Sequence, residues 1–217
     1  MSTVAAFFDM DRTLLRCNTG TQWVKYLRRR GEMSAWMALR SFAWIARYKL
    51  SLIDMEAVTR IVTADMAGDL EEELVEKARA FFAEEVIGAI APKALAALDF
   101  HRREGHVVAI LSGSSPYVAE PLAEHLGIEH VLCTRLDVQG GRFTGRHVPP
   151  ACAGEGKVVW ADRFARERGV DIAASWFYTD SYSDLPMLLR VGVRKVINPD
   201  ARLRRHARRA GWPMEEW

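Results

Sequence analysis

Residues 7–15 read FFDMDRTLL and close an apolar opening, TVAAFF at 3–8, whose unbroken hydrophobic texture is that of a strand buried on both faces. Asp9 and Asp11 follow at once, so close in sequence that both side chains leave the strand end near one another. A carboxylate at the rim of a hydrophobic strand costs free energy unless a cation or hydrogen-bond donors receive it. The chain thus begins with a strand that delivers negative charge to one place, and a metal ion is one receiver for it.

Outward from this stretch the texture changes twice. Residues 19–90 hold no comparable strand, only four segments of helical periodicity: GTQWVKYLRRRG, MSAWMALRSFAWIARYKL, SLIDMEAVTRIVTADMAG and DLEEELVEKARAFFAEEVIGAI. Glycines or polar starts such as Ser51 and Asp69 separate them. After Pro92 helix and strand alternate: helix 93–103, strand 106–112, helix 117–126, strand 130–134, and a hairpin about Gly140-Gly141. There follow helix 156–168, strand 175–179, a helix from about Asp184, strand 193–198 and a basic helix from Ala201. Alternation of this kind predicts an α/β fold, a Rossmann-like and mostly parallel sheet with helices on both faces. Residues 1–17 and 91–217 would form that core, with a helical cap at 18–90 inserted after the first strand. Ligands of such sheets bind beyond the carboxyl ends of the strands. Asp9, Ser112 and Asp180 each end a predicted strand, so they are expected to share one crevice.

Composition sets the outer bounds. A chain of 217 residues that is 49% hydrophobic can bury a substantial core. Thirty basic and 28 acidic residues leave a net charge of +2, too little to argue for nucleic-acid binding. Basic residues crowd positions 25–49 and acidic ones 69–85, which predicts blocks that face one another or water. Three cysteines, Cys17, Cys133 and Cys152, form no C-x-x-C pair and fit a reducing cytoplasm. Asp9 cuts the opening apolar run too early for a secretory leader, so a cytoplasmic location is expected.

The polar strand ends carry what phosphate-ester hydrolysis requires: a nucleophile, a proton source for the leaving oxygen and positive charge for the phosphoryl oxygens. Asp9 is the candidate nucleophile, and Asp11 the acid that then serves as base. The Thr13 hydroxyl is expected to hold the turn through local backbone bonding. YTDSYSDLPML supplies Asp180 and Asp184, hard oxygen donors suited to Mg²⁺. Ser112 and the Gly113 amide, in LSGSS before a helix, read as a phosphate-cradling turn, and Lys157, in GEGK at another helix start, as fixed positive charge. An EF-hand reading of DMDRTLLRCNTG fails, since Leu14 stands where glycine is needed and Gly20 where a bidentate Glu is needed. AGEGKVV fails as a nucleotide P-loop, with Ala151 for its first glycine and Val158 for its Ser or Thr. The six histidines show no metal-ligand spacing and read as structural.

With those motifs the chain resembles the haloacid dehalogenase-like (HAD) phosphatases, whose signature is D-x-D-x-T after the first strand, Ser or Thr after the second, a Lys, and paired acids after the fourth. All four occur here in order, and the helical insertion is similar to the cap of the phosphoserine-phosphatase-like branch, subfamily IB. The resemblance implies an aspartyl-phosphate on Asp9, Asp11 as acid and base, and Mg²⁺ held by Asp9, the backbone carbonyl of Asp11, and Asp180. It implies that Asp184 orients a metal-bound water while Ser112 and Lys157 grip the phosphoryl group. Two positions depart from the pattern: Asn18 stands where phosphoserine-specific members carry an amine-binding Glu, and Ser183 where they carry Asn.

A Mg²⁺-dependent phosphomonoesterase acting on a small phosphorylated metabolite is therefore expected, with Thr13, Asn18 and Arg60 as candidate substrate contacts beside Ser112, Gly113 and Lys157. A phosphotransferase would use the same intermediate, a peripheral lipid-phosphate phosphatase would use the same motifs, and a non-enzymatic adaptor would leave them without a use. The aromatic segment with Trp36, Phe42, Trp44 and Tyr48 is expected to build the cap interior and roof the site rather than touch a membrane. The basic RLRRHARR near the end reads as a solvated helix face, and no nucleic-acid partner is expected. The sequence sets no oligomeric state.

Overall fold

A computed structural model describes residues 3–49 and 55–217, with the side chains at 45, 46, 48 and 49 outside the description. The predicted helix start at Ser51 and the ring of Tyr48 thus lie outside the described residues. Strand β1 (Ala5–Phe8) is buried along its whole length. It lies between β2 (Val107–Ser112) and β6 (Trp176–Thr179), parallel to both. With β3 (His130–Cys133), β7 (Val193–Ile197) and β8 (Met214–Glu215) they form a six-stranded sheet in the order β3-β2-β1-β6-β7-β8, parallel throughout.

A central parallel strand must be apolar on both faces because helices cover both, which is why 5–8 does not alternate. Phe8 points with Ile110 and Tyr178 into one core, beneath α5 (Pro92–Arg103) and α6 (Pro116–Leu126). Phe7 points with Leu111 and Phe177 into the other, beneath α7 (Glu155–Arg168), α8 (Leu185–Arg190) and α9 (Ala201–Ala210). The Phe8 ring stacks on Tyr178 with centroids 4.3 Å apart. Buried His101 shares a hydrogen bond of 2.9 Å with the Tyr178 hydroxyl, and burial drives its pKa down to about 4. This histidine is structural, as expected.

Between β1 and α5 run α1 (Thr19–Arg29), α2 (Ala35–Lys49), α3 (Met55–Ala64) and α4 (Glu71–Phe81), the last extended by further helical turns to Ala89. No strand occurs among the described residues of this stretch, in keeping with its helical periodicity. The basic and acidic blocks do meet: Arg29 pairs with Glu85, Arg30 approaches Glu84 at 3.9 Å, and Lys77 lies 3.2 Å from Glu32. Such exposed pairs contribute little each.

The aromatic expectation for α2 is corrected. Trp36 is 71% exposed and Phe42 37%. Among the described side chains of α2 only Ala38 is buried; Trp36 and Phe42 face outward, while Trp44 is half-buried with its indole nitrogen covered. The interior is instead built by Trp23 and Tyr26 of α1 against Phe81 of α4, with centroids 5.1 and 5.3 Å apart. No helix among the described residues is long and apolar enough to cross a membrane.

The predicted hairpin is present as β4 (Leu136–Gln139) and β5 (Arg142–His147), outside the main sheet. It docks on the helical stretch by backbone bonding: Gly68 N donates to Phe143 O at 2.8 Å, Phe143 N to Asp69 O at 3.0 Å and Glu71 N to Gly141 O at 3.0 Å. Contact is close at Gly145, where a Cβ would lie 2.9 Å from that of Ala67 and φ is +79°. Across the same contact Glu56 of α3 accepts the Ala151 amide at 2.7 Å and meets His147 Nε2 at 2.6 Å. Strand β8 escaped the sequence reading because two residues carry no periodicity.

Phe8 packs with no exposed surface between the sheet and α5. Phe8→Ala is expected to cost about 3–5 kcal/mol and Phe8→Leu less than half of that, measured by urea unfolding.

Candidate active site

The three central strands end side by side, and parallel pairing brings Asp9, Ser112 and Asp180 to the same edge of the sheet. Asp9 remains tied to the ladder, its amide donating to Tyr178 O at 2.9 Å. The chain then leaves the strand through one wide helical turn, Met10–Leu14, closed by Leu15 N to Met10 O at 3.0 Å. Within this turn Asp11 is extended and Arg12 left-handed, with φ 57°.

Lys157 is the centre of the cluster. It lies in the first turn of α7, and its side chain is 3% exposed. Its ammonium donates to Asp9 Oδ1 at 2.7 Å and to Asp184 Oδ2 at 2.6 Å. Asp184 Oδ2 also accepts from the Thr179 hydroxyl at 2.6 Å. The acid loop 180–184 turns tightly because Ser181 accepts the Ser183 amide, and the Ser183 hydroxyl sits 2.9 Å from that of Ser181. Asp180 is approached by Arg12 Nε at 3.4 Å.

Asp11 points to the N-terminus of α1. Its Oδ2 accepts from Asn18 Nδ2 at 2.7 Å, and its Oδ1 from the Thr19 amide and hydroxyl at 2.9 and 2.8 Å. Free amides and the helix dipole both favour an anion there. Asn18 also caps α1, its Oδ1 accepting the Thr21 amide at 3.0 Å and hydroxyl at 2.8 Å. The expectation that Asn18 faces substrate meets a different arrangement: its amide group is engaged with Asp11 and the helix cap.

Ser112 is buried, and its hydroxyl accepts the Ser114 amide at 3.2 Å, so Gly113 lies within a compact turn before α6. Thr13 is corrected. Its hydroxyl is fully buried and has no hydrogen-bond partner among the described residues, so it does not hold the turn by bonding. Arg60 is exposed on α3, one turn beyond Glu56, and the described contacts join it to no member of the cluster. Thr179, Thr19 and Arg12 were missed in sequence: Ser and Thr beside an Asp are ordinary turn chemistry, and only the fold shows which carboxylate each one meets.

The electrostatics are lopsided. Asp9, Asp180 and Asp184 gather at one fully buried ammonium. Burial, against the pull of Lys157, raises the Asp9 pKa to about 7, and burial with the charges of Asp9 and Asp184 raises that of Asp180 to about 8. The two carboxylates hold Lys157 protonated, its pKa raised despite burial. Negative charge therefore exceeds positive, which is the condition a divalent cation relieves. Among the described residues no three acidic, imidazole or thiol groups form a ready cage. Mg²⁺ needs no such cage, since it takes one or two carboxylates and fills its remaining positions with water and phosphate oxygens. Asp9 and Asp180 are the side chains placed to supply the carboxylates, and Asp9 Oδ2 has no donor among the described residues.

A sequence model described as haloacid dehalogenase-like hydrolase matches residues 6–189. A protein named histidinol-phosphatase in Neisseria meningitidis serogroup C (strain 8013) is 29% identical, over 96% of each chain. A crystal structure of a protein of unknown function from Bordetella pertussis Tohama I superposes with a TM-score of 0.89 at 27% identity, covering 99% of each chain. A structure titled as a phospho-aspartyl intermediate analogue of phosphoserine phosphatase superposes with a TM-score of 0.73 over all of this chain and 94% of that one; at 16% identity the likeness is one of fold.

Both raised carboxyls hold their protons more tightly in the folded chain than in the unfolded one, where Asp titrates near about 3.9. The stability they contribute is complete below that value and is lost as pH rises through about 7 and about 8. Chelated protein is expected to melt several degrees lower at about pH 9 than at about pH 5, with Mg²⁺ reversing the loss. Asp180→Asn should raise the metal-free melting temperature at the higher pH and weaken the response to Mg²⁺. Thermal melts with and without chelator decide it; a metal-free protein that is most stable at the alkaline end contradicts the crowding.

Proposed function

The chain belongs to the haloacid dehalogenase-like hydrolase family, and on that premise we propose that it hydrolyses a small phosphomonoester through a phosphoryl group carried on Asp9, with Mg²⁺ as cofactor. The observation that carries this reading is the placement of the Lys157 ammonium on one oxygen of Asp9, with the other oxygen left without a donor. A nucleophile held by one oxygen keeps its orientation while its second lone-pair face stays available.

Asp9 Oδ2 attacks phosphorus in line with the ester oxygen, so that the bond to Asp9 forms as the ester P–O bond breaks. Asp11, whose anion the Asn18 and Thr19 donors favour at rest, takes up a proton from solvent as substrate enters and gives it to the departing oxygen, which leaves as an alcohol. Water then attacks the phosphoryl group on Asp9 while Asp11 takes one of its protons, and inorganic phosphate and the Asp9 carboxylate are released. Asn18 and Thr19 keep Asp11 aimed through both steps. Lys157 stays charged and faces the phosphoryl oxygens, and the Ser112 hydroxyl and Gly113 amide cradle them from the α6 side. Bound by Asp9, the Asp11 carbonyl and Asp180, Mg²⁺ supplies charge that screens the anionic ester from the anionic nucleophile. The contacts of Asp184 assign it the holding of Lys157.

The helical stretch 18–90, together with the docked hairpin, serves as the cap that shields the phosphoryl group from bulk water. The names of the relatives make histidinol phosphate and phosphoserine the first substrates to compare. Since Asn18 is committed to Asp11, a substrate amine must be recognised elsewhere in the cap.

Release of free phosphate from a panel of phosphorylated metabolites tests the reading, with Mg²⁺ and then with chelator. Activity is expected to vanish with chelator, and Asp9→Asn to lower turnover by at least about a thousandfold while the fold survives. Near-normal turnover in that variant refutes the assignment. Added alcohols that divert phosphate from water would identify a phosphotransferase instead.

A further inference from the structure

Two non-glycine residues among those described have left-handed backbone, Arg12 with φ 57° and Asn198 with φ 42°, and they are bonded to each other. Asn198 Nδ2 donates to the Arg12 carbonyl at 2.8 Å across 186 positions of sequence. Left-handed backbone is disfavoured for an arginine and persists where its surroundings over-determine it. Here the Arg12 amide is held by Cys17 O at 3.0 Å and its carbonyl by Asn198. Asn198 is itself held from the end of the chain: its Oδ1 accepts the Trp217 amide at 2.9 Å, and its own amide donates to Glu215 O at 2.9 Å. Asn tolerates the left-handed region better than most residues, so its type suits the place.

The same loop braces the acid loop two residues later. The Asp200 amide donates to the Asp180 carbonyl at 2.8 Å, and Asp200 Oδ2 accepts the Tyr182 amide at 2.7 Å. Residues 198–200 therefore touch both backbone turns that carry the candidate metal-binding acids, and the C-terminal strand β8 secures them from behind. We propose that Asn198 is a positioning residue for the catalytic turn, acting through the Arg12 carbonyl and itself fixed by residues 214–217. The inference rests on the phosphatase reading above. Arg12 follows Asp11 directly, so rotation of its backbone redirects the Asp11 carbonyl and carboxylate relative to Asp9. A displacement of about 1 Å at such a site is enough to cost up to about a hundredfold in rate.

The test uses the full chain with three changes: Asn198→Asp, Asn198→Gly, and deletion of Trp217. Asn198→Asp keeps the acceptor for Trp217 and loses the donor to Arg12; Asn198→Gly keeps the backbone conformation without strain and loses both bonds. Turnover is measured on the best phosphate ester of the panel, Mg²⁺ affinity by calorimetric titration of substrate-free protein, and folding by thermal melt. Both substitutions are expected to lower kcat about tenfold with KM within about threefold, and to weaken Mg²⁺ binding severalfold, while melting temperatures fall by only a few degrees. Deleting Trp217 should act in the same direction and more weakly. If kcat and Mg²⁺ affinity match the wild type in both substitutions and only the melting temperature moves, Asn198 is merely structural and the proposal falls. Should the wild type bind Mg²⁺ but hydrolyse no ester, the phosphatase reading falls alone, and weaker Mg²⁺ binding in the variants still upholds the brace. A wild type that neither hydrolyses nor binds Mg²⁺ overturns both.

Discussion

The Lys157 ammonium between Asp9 and Asp184 is the interaction on which the site depends. It joins residues 148 and 27 positions apart, and it is buried, so none of its partners is tolerable alone. The ammonium fixes the orientation of Asp9 and opposes the rise in its pKa that burial causes. It is nevertheless outnumbered, and burial together with the crowded carboxylates raises the affinity of Asp9 and Asp180 for protons. Perturbed carboxyls gathered in this way are what a functional site tends to concentrate, and they are the ground of the proposed function.

The sheet turns this local chemistry into a fixed geometry. Because β1 is paired in parallel on both sides, its end has two neighbouring strand ends at the same level, each able to contribute one polar residue. The cores beneath the sheet are aromatic and close-packed, so the strand ends have little freedom to drift. Above them the helical stretch and the β4–β5 hairpin share backbone bonds and the Glu56 contact. These two pieces, far apart in sequence, thus hold one another in place.

Much of this was legible in the residues themselves. The unalternating run before Asp9 marks a central strand, and the helix-strand alternation after Pro92 marks a parallel sheet, since each texture is the direct consequence of which faces are covered. Aromatic α2 misled at Trp36 and Phe42 because hydrophobicity does not say which side of a helix finds a partner; the small Ala38 is buried while those two rings stay outside. Thr13 misled in another way. Its hydroxyl suited a turn, yet the fold buried it without a bond.

By itself, then, the sequence determined the type and order of the elements, and which polar residues stand at strand ends, because periodicity and residue type act over a few positions at a time. Tertiary structure alone decided that Asn18 serves Asp11, that Thr179 serves Asp184, and that Asn198 carries the C-terminus to the Arg12 carbonyl. Those pairings depend on strand order, register and loop path. A hydrogen bond is satisfied within about 3 Å in space and is indifferent to distance along the chain.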